Sequence, residues 1–209
     1  ILISKAIRFF QKKLKTILHL NFDIKKIDKL KNGFMVNNEI FDTIIDCTGC
    51  SIDFTKKDKF TFEYCSVFLY KKNIRDTKNI ALTIMDGPFY TLFPWSDKNE
   101  FGLYSVKYSR IRKSKNLKIL NKKIKKTSNS IFNKNKMMVE KNFQQYYPNF
   151  KKDFTFKKNL LSKRTIIENK FDHRICKVTN NDGIISIFPG KIDHIFYAYK
   201  ELKKCLKKF

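Results

Sequence analysis

The segment Asp182-Gly183-Ile184-Ile185-Ser186-Ile187-Phe188-Pro189-Gly190-Lys191-Ile192-Asp193-His194-Ile195-Phe196 decides the fold of this chain. Its β-branched run predicts a strand, Pro189-Gly190 predicts a tight turn, and the residues that follow have helical spacing. At a strand-to-helix junction the first backbone N–H groups have no helical partner and the helix dipole is positive. The turn therefore predicts a binding site for an electron-rich ligand edge.

A second strand and turn of the same kind lies near the other end of the chain. The segment Phe41-Asp42-Thr43-Ile44-Ile45-Asp46-Cys47-Thr48-Gly49 is a short apolar run that also ends in a glycine. Two such turns together predict a nucleotide cofactor.

The middle of the chain has the period of strands. Phe60 to Tyr70 carries aromatic residues at alternate positions, and short apolar runs follow at residues 80–85, 89–93 and 101–106. Consecutive strands joined by short turns predict an antiparallel sheet. Lysine-rich residues 117–146 then show helical spacing, and residues 154–167 again predict a strand.

The net charge of +26 allows two interpretations. A basic module could bind single-stranded nucleic acid through lysine patches and aromatic strands. However, lysine, isoleucine, asparagine and phenylalanine are all abundant, as expected of an A/T-rich coding sequence, and the 45 cationic residues are spread along the chain. We favour this compositional explanation, so nucleic acid is not an expected partner.

The five cysteines are irregularly spaced, which makes a disulfide framework or a zinc site a weak interpretation and favours a reducing, cytoplasmic setting. The three histidines are scattered, so we expect no metal site. Cys47 is expected to be a small buried residue at the end of its strand. No apolar run is long enough to span a bilayer.

The chain opens with Ile1 inside an amphipathic helical pattern, which predicts that an N-terminal segment of the same protein precedes it.

At this point the motifs resemble a known family. Ile44-Ile45-Asp46-Cys47-Thr48-Gly49 is similar to the V-V-N-A-T-G turn of FAD-dependent oxidoreductases of the D-amino-acid oxidase-like superfamily. Further segments resemble that superfamily in the same order along the chain: Tyr146–Phe150, Ser162–Thr165, Asp172–Arg174, Gly183–Ile187 and Gly190–Asp193. The GxGxxG fingerprint of the family is absent, so the resemblance identifies the chain as the C-terminal part of a longer flavoenzyme.

The resemblance implies an α/β (α+β) fold with FAD as the cofactor. Residues 1–55 and 169–209 would form a partial, Rossmann-like FAD-binding domain, and residues 56–168 an antiparallel substrate domain with lysine-rich helices. Thr48 and Gly49 would lie against the nucleotide part of FAD. Gly190, Lys191 and Ile192 would place helix-end N–H groups near the pyrimidine edge of the flavin. A solvent-exposed Lys191 side chain at the helix start is an equal alternative.

The family resemblance also implies hydride transfer to the flavin from an amine, an amino acid or a similar small substrate. Arginine binds a substrate carboxylate best, so Arg174 is the first candidate and Arg164 the second. Each has the alternative of an ordinary surface arginine. Tyr90 is a third candidate, as a wall of the pocket, with a core aromatic of the sheet as its alternative. A truncated fragment with no function of its own is the remaining interpretation.

Overall fold

The computed structural model describes residues 3–24, 26–49, 59–73, 80–87, 89–96, 99–168, 175–188 and 190–207. The chain divides into two compact units. Unit 1 comprises Ile1–Phe60 and Thr165–Phe209, and unit 2 comprises Thr61–Arg164. The middle domain predicted from the sequence, residues 56–168, differs from unit 2 by a few residues at each end. A mixed α/β fold with antiparallel sheets, as predicted, is confirmed.

Unit 1 is built from residues at both ends of the chain. Its elements are α1 (Ile3–Lys13), β1 (Ile27–Leu30), β2 (Gly33–Val36), β3 (Glu39–Phe41), β4 (Ile44–Asp46), β11 (Lys177–Asn181), β12 (Ile184–Phe188), a 3₁₀ turn (Ile192–His194) and α5 (Ile195–Leu206). Strands β1, β2 and β3 form one antiparallel sheet, and β11, β12 and β4 form a second, mixed sheet.

Strands β11 and β12 are joined by a two-residue hairpin turn. Asp182 (φ 53°) and Gly183 (φ 92°) both have positive φ, which is the conformation that a tight hairpin turn of this hand requires. The side chain of Asn180 accepts a hydrogen bond from Gly183 N–H at 3.0 Å. A Cβ atom at residue 183 would lie 2.9 Å from the ring of Phe34, so glycine is required by packing as well.

Strand β12 pairs on its other side with β4, and this ladder is parallel. Ile184 lies opposite Ile44, Ile185 opposite Ile45, and Ser186 opposite Asp46. The two strands are far apart in the sequence, so this pairing joins the N-terminal and C-terminal parts of unit 1. Ile185 is completely buried at its centre.

Unit 2 is organised around one antiparallel sheet. Its elements are β5 (Phe60–Lys72), β6 (Leu82–Ile84), β7 (Tyr90–Ser96), β8 (Glu100–Ser105), β9 (Arg110–Ser114), α2 (Leu117–Lys125), α3 (Asn129–Phe143), α4 (Phe150–Asp153) and β10 (Phe154–Ile167), with the first residue of β5 and the last three of β10 in unit 1. The strand order is β10-β5-β8-β7-β6, and β9 also pairs with β5.

One face of this sheet packs against helices and carries the core. We call it the core face, because β5 contributes Phe68 and Tyr70 to a cluster that includes Val139 and Phe143 of α3. The remaining buried members are Tyr90, Leu92, Phe101, Leu103, Phe150 and Phe154. Alternation along β5 places Thr61, Glu63, Cys65, Val67 and Leu69 on the opposite face, which we call the second face.

A polar network crosses the core face. The hydroxyl of Tyr70 donates to Glu140 Oε1 at 2.9 Å, and Lys136 Nζ donates to the same oxygen at 3.1 Å. Lys136 also lies 4.9 Å from the centre of the Phe156 ring. The buried Glu140 carboxylate is therefore both hydrogen-bonded and charge-compensated, as a group in this environment must be.

Three local expectations need correction. The alternation of Thr16 to Ile27 predicts strands, but among the described residues the first strand begins at Ile27. The apolar run from Ile40 to Cys47 predicts one strand, but it is broken at Asp42 and Thr43 into β3 and β4, which belong to different sheets. Strands β9 and β11 were not expected. Within the described residues, no helix is long and apolar enough to cross a membrane.

Candidate functional site

The parallel pairing of β4 and β12 brings the two predicted turns to one edge of a sheet. Parallel strands end at the same edge, and the described register runs from Ile44/Ile184 to Asp46/Ser186. Thr48 and Gly49 follow β4 after one residue, Cys47, and Gly190 and Lys191 follow β12. The carboxyl edge of parallel strands is where open α/β sheets bind ligands.

The turn after β4 is held by two hydrogen bonds that join it to fixed parts of unit 1. The buried carboxylate of Asp46 accepts the backbone N–H of Thr48 at 2.8 Å through Oδ1. The hydroxyl of Thr165 donates to the carbonyl oxygen of Gly49 at 2.6 Å. These contacts fix the course of the backbone in the turn. The sequence pattern does not indicate either Asp46 or Thr165 as a site residue.

Gly49 itself leaves room for a ligand. Its φ of +64° is left-handed, and a Cβ atom added there would have no heavy atom of the described residues within 4 Å. As far as these residues define it, the space beside Gly49 is open, and the backbone conformation is what demands glycine there. A group that binds close to the backbone, such as a nucleotide, would use this space.

Burial in this turn differs from the expectation. Cys47 is exposed, so its prediction as a small buried residue is wrong, because Asp46 takes the inward position. The hydroxyl oxygen of Ser186, the ladder partner of Asp46, is buried without a hydrogen-bond partner among the described residues. A buried polar atom without a partner is costly, so a ligand or water is expected there.

The turn after β12 leads into a 3₁₀ turn before the helix proper. Gly190 has a φ of +72°, and Lys191 is extended and precedes Ile192–His194. The carbonyl of Lys191 accepts the backbone N–H of His194 at 3.2 Å. The sequence predicts that a helix starts at this point. In the structure a 3₁₀ turn comes first, and α5 begins after it at Ile195. The side chain of Lys191 is exposed, which agrees with the alternative of a solvent-exposed lysine at the helix start. Its backbone lies at the edge of the sheet where β12 ends.

The three predicted substrate residues have different outcomes. Arg174 lies outside the described residues. Tyr90 is completely buried on the core face, with its ring centre 5.9 Å from that of Phe143. Burial raises the pKa of Tyr90 to about 12. This packing favours the alternative for Tyr90, a core aromatic of the sheet, and its role at a substrate pocket stays a prediction.

Arg164 is partly exposed and belongs to an ion-pair cluster on the second face. Its Nε and Nη2 atoms lie 2.7 Å and 2.6 Å from Oε2 of Glu63. Arg110 Nη1 lies 3.2 Å from the other oxygen of the same carboxylate. The Arg164 guanidinium is therefore oriented by a fixed partner, unlike an isolated surface arginine.

A surface cleft of about 480 Å³ is lined by Phe22, Lys26, Asn37, Asn38 and Glu39, none of which is a predicted site residue. Within the described ranges, no group of three or more histidine, cysteine, aspartate or glutamate side chains is arranged to hold a metal ion.

A solved structure shares this fold. The FAD-dependent oxidoreductase PA4991 from Pseudomonas aeruginosa matches 88% of this chain and 52% of its own, with a TM-score of 0.55 and 8% sequence identity. The chain has the fold of part of an FAD-dependent oxidoreductase. At this identity the likeness concerns the fold alone.

Curated relatives point in the same direction. The chain is 25% identical over 203 residues to the FAD-dependent monooxygenase FPY4 of Fusarium mangiferae, covering 97% of this chain and 54% of the relative. It is 23% identical to the FAD-dependent monooxygenase kojA of Aspergillus flavus, covering 88% and 47%. The chain thus spans about half the length of these relatives. No protein-family model matches it. The predicted resemblance to FAD-dependent oxidoreductases is confirmed, and its D-amino-acid oxidase-like branch stays a prediction.

Replacing Thr165 with valine tests whether its hydroxyl fixes the Gly49 turn. Loss of the 2.6 Å hydrogen bond should free the Gly49 carbonyl and destabilise the turn by roughly 1 kcal/mol. Amide hydrogen exchange should then become faster at residues 47–49 in the Thr165→Val variant. Thr179→Val, in β11 of the same unit, is the matched control and should leave this exchange unchanged. Equal exchange in both variants would show that Thr165 does not hold the turn.

Proposed function

We propose that this chain is the C-terminal part of an FAD-dependent oxidoreductase and that unit 1 supplies part of the FAD site. The observation that carries the proposal is the parallel β4–β12 pair, which puts two glycine turns at one sheet edge. The names and coverage of the curated relatives support the choice of cofactor.

The residues at this edge fit parts of FAD. The open space beside Gly49 suits close backbone approach of the nucleotide portion, with Thr48 next to it. The N–H groups at Gly190, Lys191 and Ile192 suit the electron-rich pyrimidine edge of the flavin and would stabilise negative charge there. When bound, FAD supplies a ring that accepts two electrons from the substrate. The protein's contribution is to position that ring and the substrate.

For the substrate we propose an amine, an amino acid or a similar small molecule, as the D-amino-acid oxidase-like resemblance implies. Arg174 or Arg164 would bind an acidic group of it, Arg164 with support from its oriented guanidinium. The alternative of a module for single-stranded nucleic acid has less support. It requires aromatic strands that are mostly exposed, whereas Phe68, Tyr70 and Phe101 lie in the core. Phe93 and Tyr104 on the other face are half-buried.

A second candidate reaction follows from the relatives, which are described as FAD-dependent monooxygenases. In that reaction one atom of dioxygen enters the substrate and the other leaves as water, with two electrons supplied by an external reductant. Oxidation of a C–N bond differs, because the substrate itself gives up a hydride to the flavin and no oxygen atom from dioxygen is inserted.

We also propose that an upstream segment of the same polypeptide covers helix α5. Ile195, Phe196 and Tyr199 of α5 follow one another at helical spacing and are all exposed, with Phe196 at 82%. Ile192, in the 3₁₀ turn before α5, is 90% exposed. So large an apolar stripe on a solvent face marks a contact surface. The relatives are about twice as long as this chain, which leaves a segment of similar size to occupy it.

FAD binding tests the proposed function directly. The longest natural polypeptide that contains these residues should purify with, or take up, FAD and show flavin absorbance. Gly49→Val should weaken FAD binding by at least about tenfold, because its side chain enters the open space. Gly87→Val is the matched control, since Gly87 has a φ of +78° and equally open surroundings in unit 2. A polypeptide that binds no FAD would contradict the proposal.

Anaerobic mixing separates the two reactions. If the substrate is an amine or amino acid that donates hydride, the FAD-loaded polypeptide should lose its visible absorbance on mixing with that compound without oxygen. A monooxygenase should keep its absorbance under these conditions and should incorporate one labelled atom when supplied with a reductant and ¹⁸O₂. Label in the product would favour the second candidate.

Substitution of Phe196 tests the covering of α5. Because Phe196 is 82% exposed, Phe196→Ser should change the stability of the 209-residue chain by less than about 0.5 kcal/mol. In the longer polypeptide the same change should cost about 2 kcal/mol, since a buried aromatic is lost. Met137→Ser, at a 63% exposed position of α3, should be neutral in both. Equal stability of the Phe196 variant in both contexts would contradict the proposal.

A further inference from the structure

A buried carboxylate lies at the centre of the second face of unit 2. Glu63 is 2% exposed, yet it lies on β5 in the middle of the sheet, where apolar residues are the rule. Arg164 binds its Oε2 through two nitrogens, and Arg110 binds its Oε1. Side-chain exposures of 27% for Arg164 and 42% for Arg110 mean that both guanidiniums extend from this carboxylate towards solvent.

Among the described residues, the cations in this cluster outnumber the carboxylate. One negative charge would compensate one arginine, but two arginines share Glu63. In the β5–β9 ladder Lys113 also lies opposite Glu63, and Arg110 lies opposite Cys65, so further positive charge belongs to the same face. Joining strands does not require this excess, because a buried ion pair adds little net stability over apolar packing. An anion bound to this face would compensate the excess charge.

The charge of Arg164 is secure. Burial of the guanidinium lowers the pKa of Arg164, but Cys65, Tyr104 and Glu63 together raise it by more, so it lies above its ordinary value. Glu63 takes only part of each guanidinium fork, since a guanidinium carries five N–H donors. The remaining N–H groups are in a planar array that matches a carboxylate or another oxyanion.

The neighbouring surface of the second face is aromatic. Thr91 of β7 lies opposite Tyr104 of β8, and Phe93 lies opposite Gly102. A Cβ atom at Gly102 would lie 2.8 Å from the Phe93 ring, so this ring covers the sheet where glycine leaves space. Tyr104 and Phe93 are half-buried, which leaves part of each ring accessible.

We propose that Arg110 and Arg164, oriented by the buried carboxylate of Glu63, bind the anionic group of a small organic ligand whose apolar body lies against the aromatic part of the second face. Glu63 is a positioning residue, because it acts through the two arginines. That this ligand is the substrate rests on the proposed function, whereas anion binding itself does not require FAD.

Benzoate is a suitable probe, since it combines a carboxylate with an aromatic body. Isothermal titration without FAD, at constant ionic strength, should show tighter binding of benzoate than of chloride to the longest natural polypeptide containing these residues. Arg164→Lys and Arg110→Lys should each weaken benzoate binding by at least about tenfold, since lysine cannot form the planar fork. Circular dichroism melting confirms that each variant is folded.

Arg112→Lys is the matched control. Arg112 is on the same strand as Arg110, but its ladder partner is Tyr64, whose side chain points to the core face. The dissociation constant of benzoate for this variant should lie within about twofold of the value for the unsubstituted protein. That change is well below the roughly tenfold loss expected for the other two arginine variants. Glu63→Gln keeps both cations but not their orientation, so preference for benzoate over chloride should be lost.

Two results would overturn the proposal. The first is equal binding of benzoate and chloride by the unsubstituted protein, and the second is the same loss in Arg112→Lys as in Arg164→Lys. Failure of the proposed function would give a different result. The polypeptide would then bind no FAD, but the benzoate titration, which contains no FAD, would be unaffected.

Discussion

The parallel ladder between β4 and β12 is the constraint on which the candidate cofactor site depends. Without it, the turn at Thr48-Gly49 and the turn at Gly190-Lys191 would be unrelated loops near opposite ends of the chain. The ladder is short, with three residue pairs, and it is completed by the β11–β12 hairpin on one side. Contacts of Asp46 and Thr165 then fix the first turn in a conformation that leaves open space beside Gly49. The fold of unit 1 and its candidate site therefore depend on the same strand pairing.

Sequence reasoning succeeded where the pattern is local. The turns, the long aromatic strand and the final strand and helix follow from residue periodicity and glycine positions. Contacts between residues that are distant in the sequence could not be predicted. The hydrogen bond from Thr165 to Gly49 joins residues 116 positions apart, and no local pattern indicates it. Strand β11 is a different case, because the Asp182-Gly183 hairpin signal was present and implied a preceding strand. The burial of Tyr90 and the exposure of Cys47 depend on which face of a sheet is covered, which alternation alone does not specify.

Charge and exposed apolar surface have separate explanations in this chain. Most of the +26 net charge is spread over lysines on solvent faces, such as those at residues 122–126, and fits a compositional origin. The arginines around Glu63 are different, since a buried carboxylate orients them and they remain in excess. Likewise, scattered exposed apolar residues need no explanation, but the stripe on α5 does, because its members share one helix face. In both cases spatial organisation, and not composition, distinguishes the proposed binding surfaces from the rest of the surface.

An experimental structure of the longest natural polypeptide containing this chain, determined with FAD, tests the central claim most directly. Contact of both the Thr48-Gly49 turn and the Gly190–Ile192 turn with one FAD molecule is the expected result, because the β4–β12 ladder ends both strands at one edge. FAD bound away from these turns, or contacting neither of them, would contradict the assignment of this edge as part of the cofactor site.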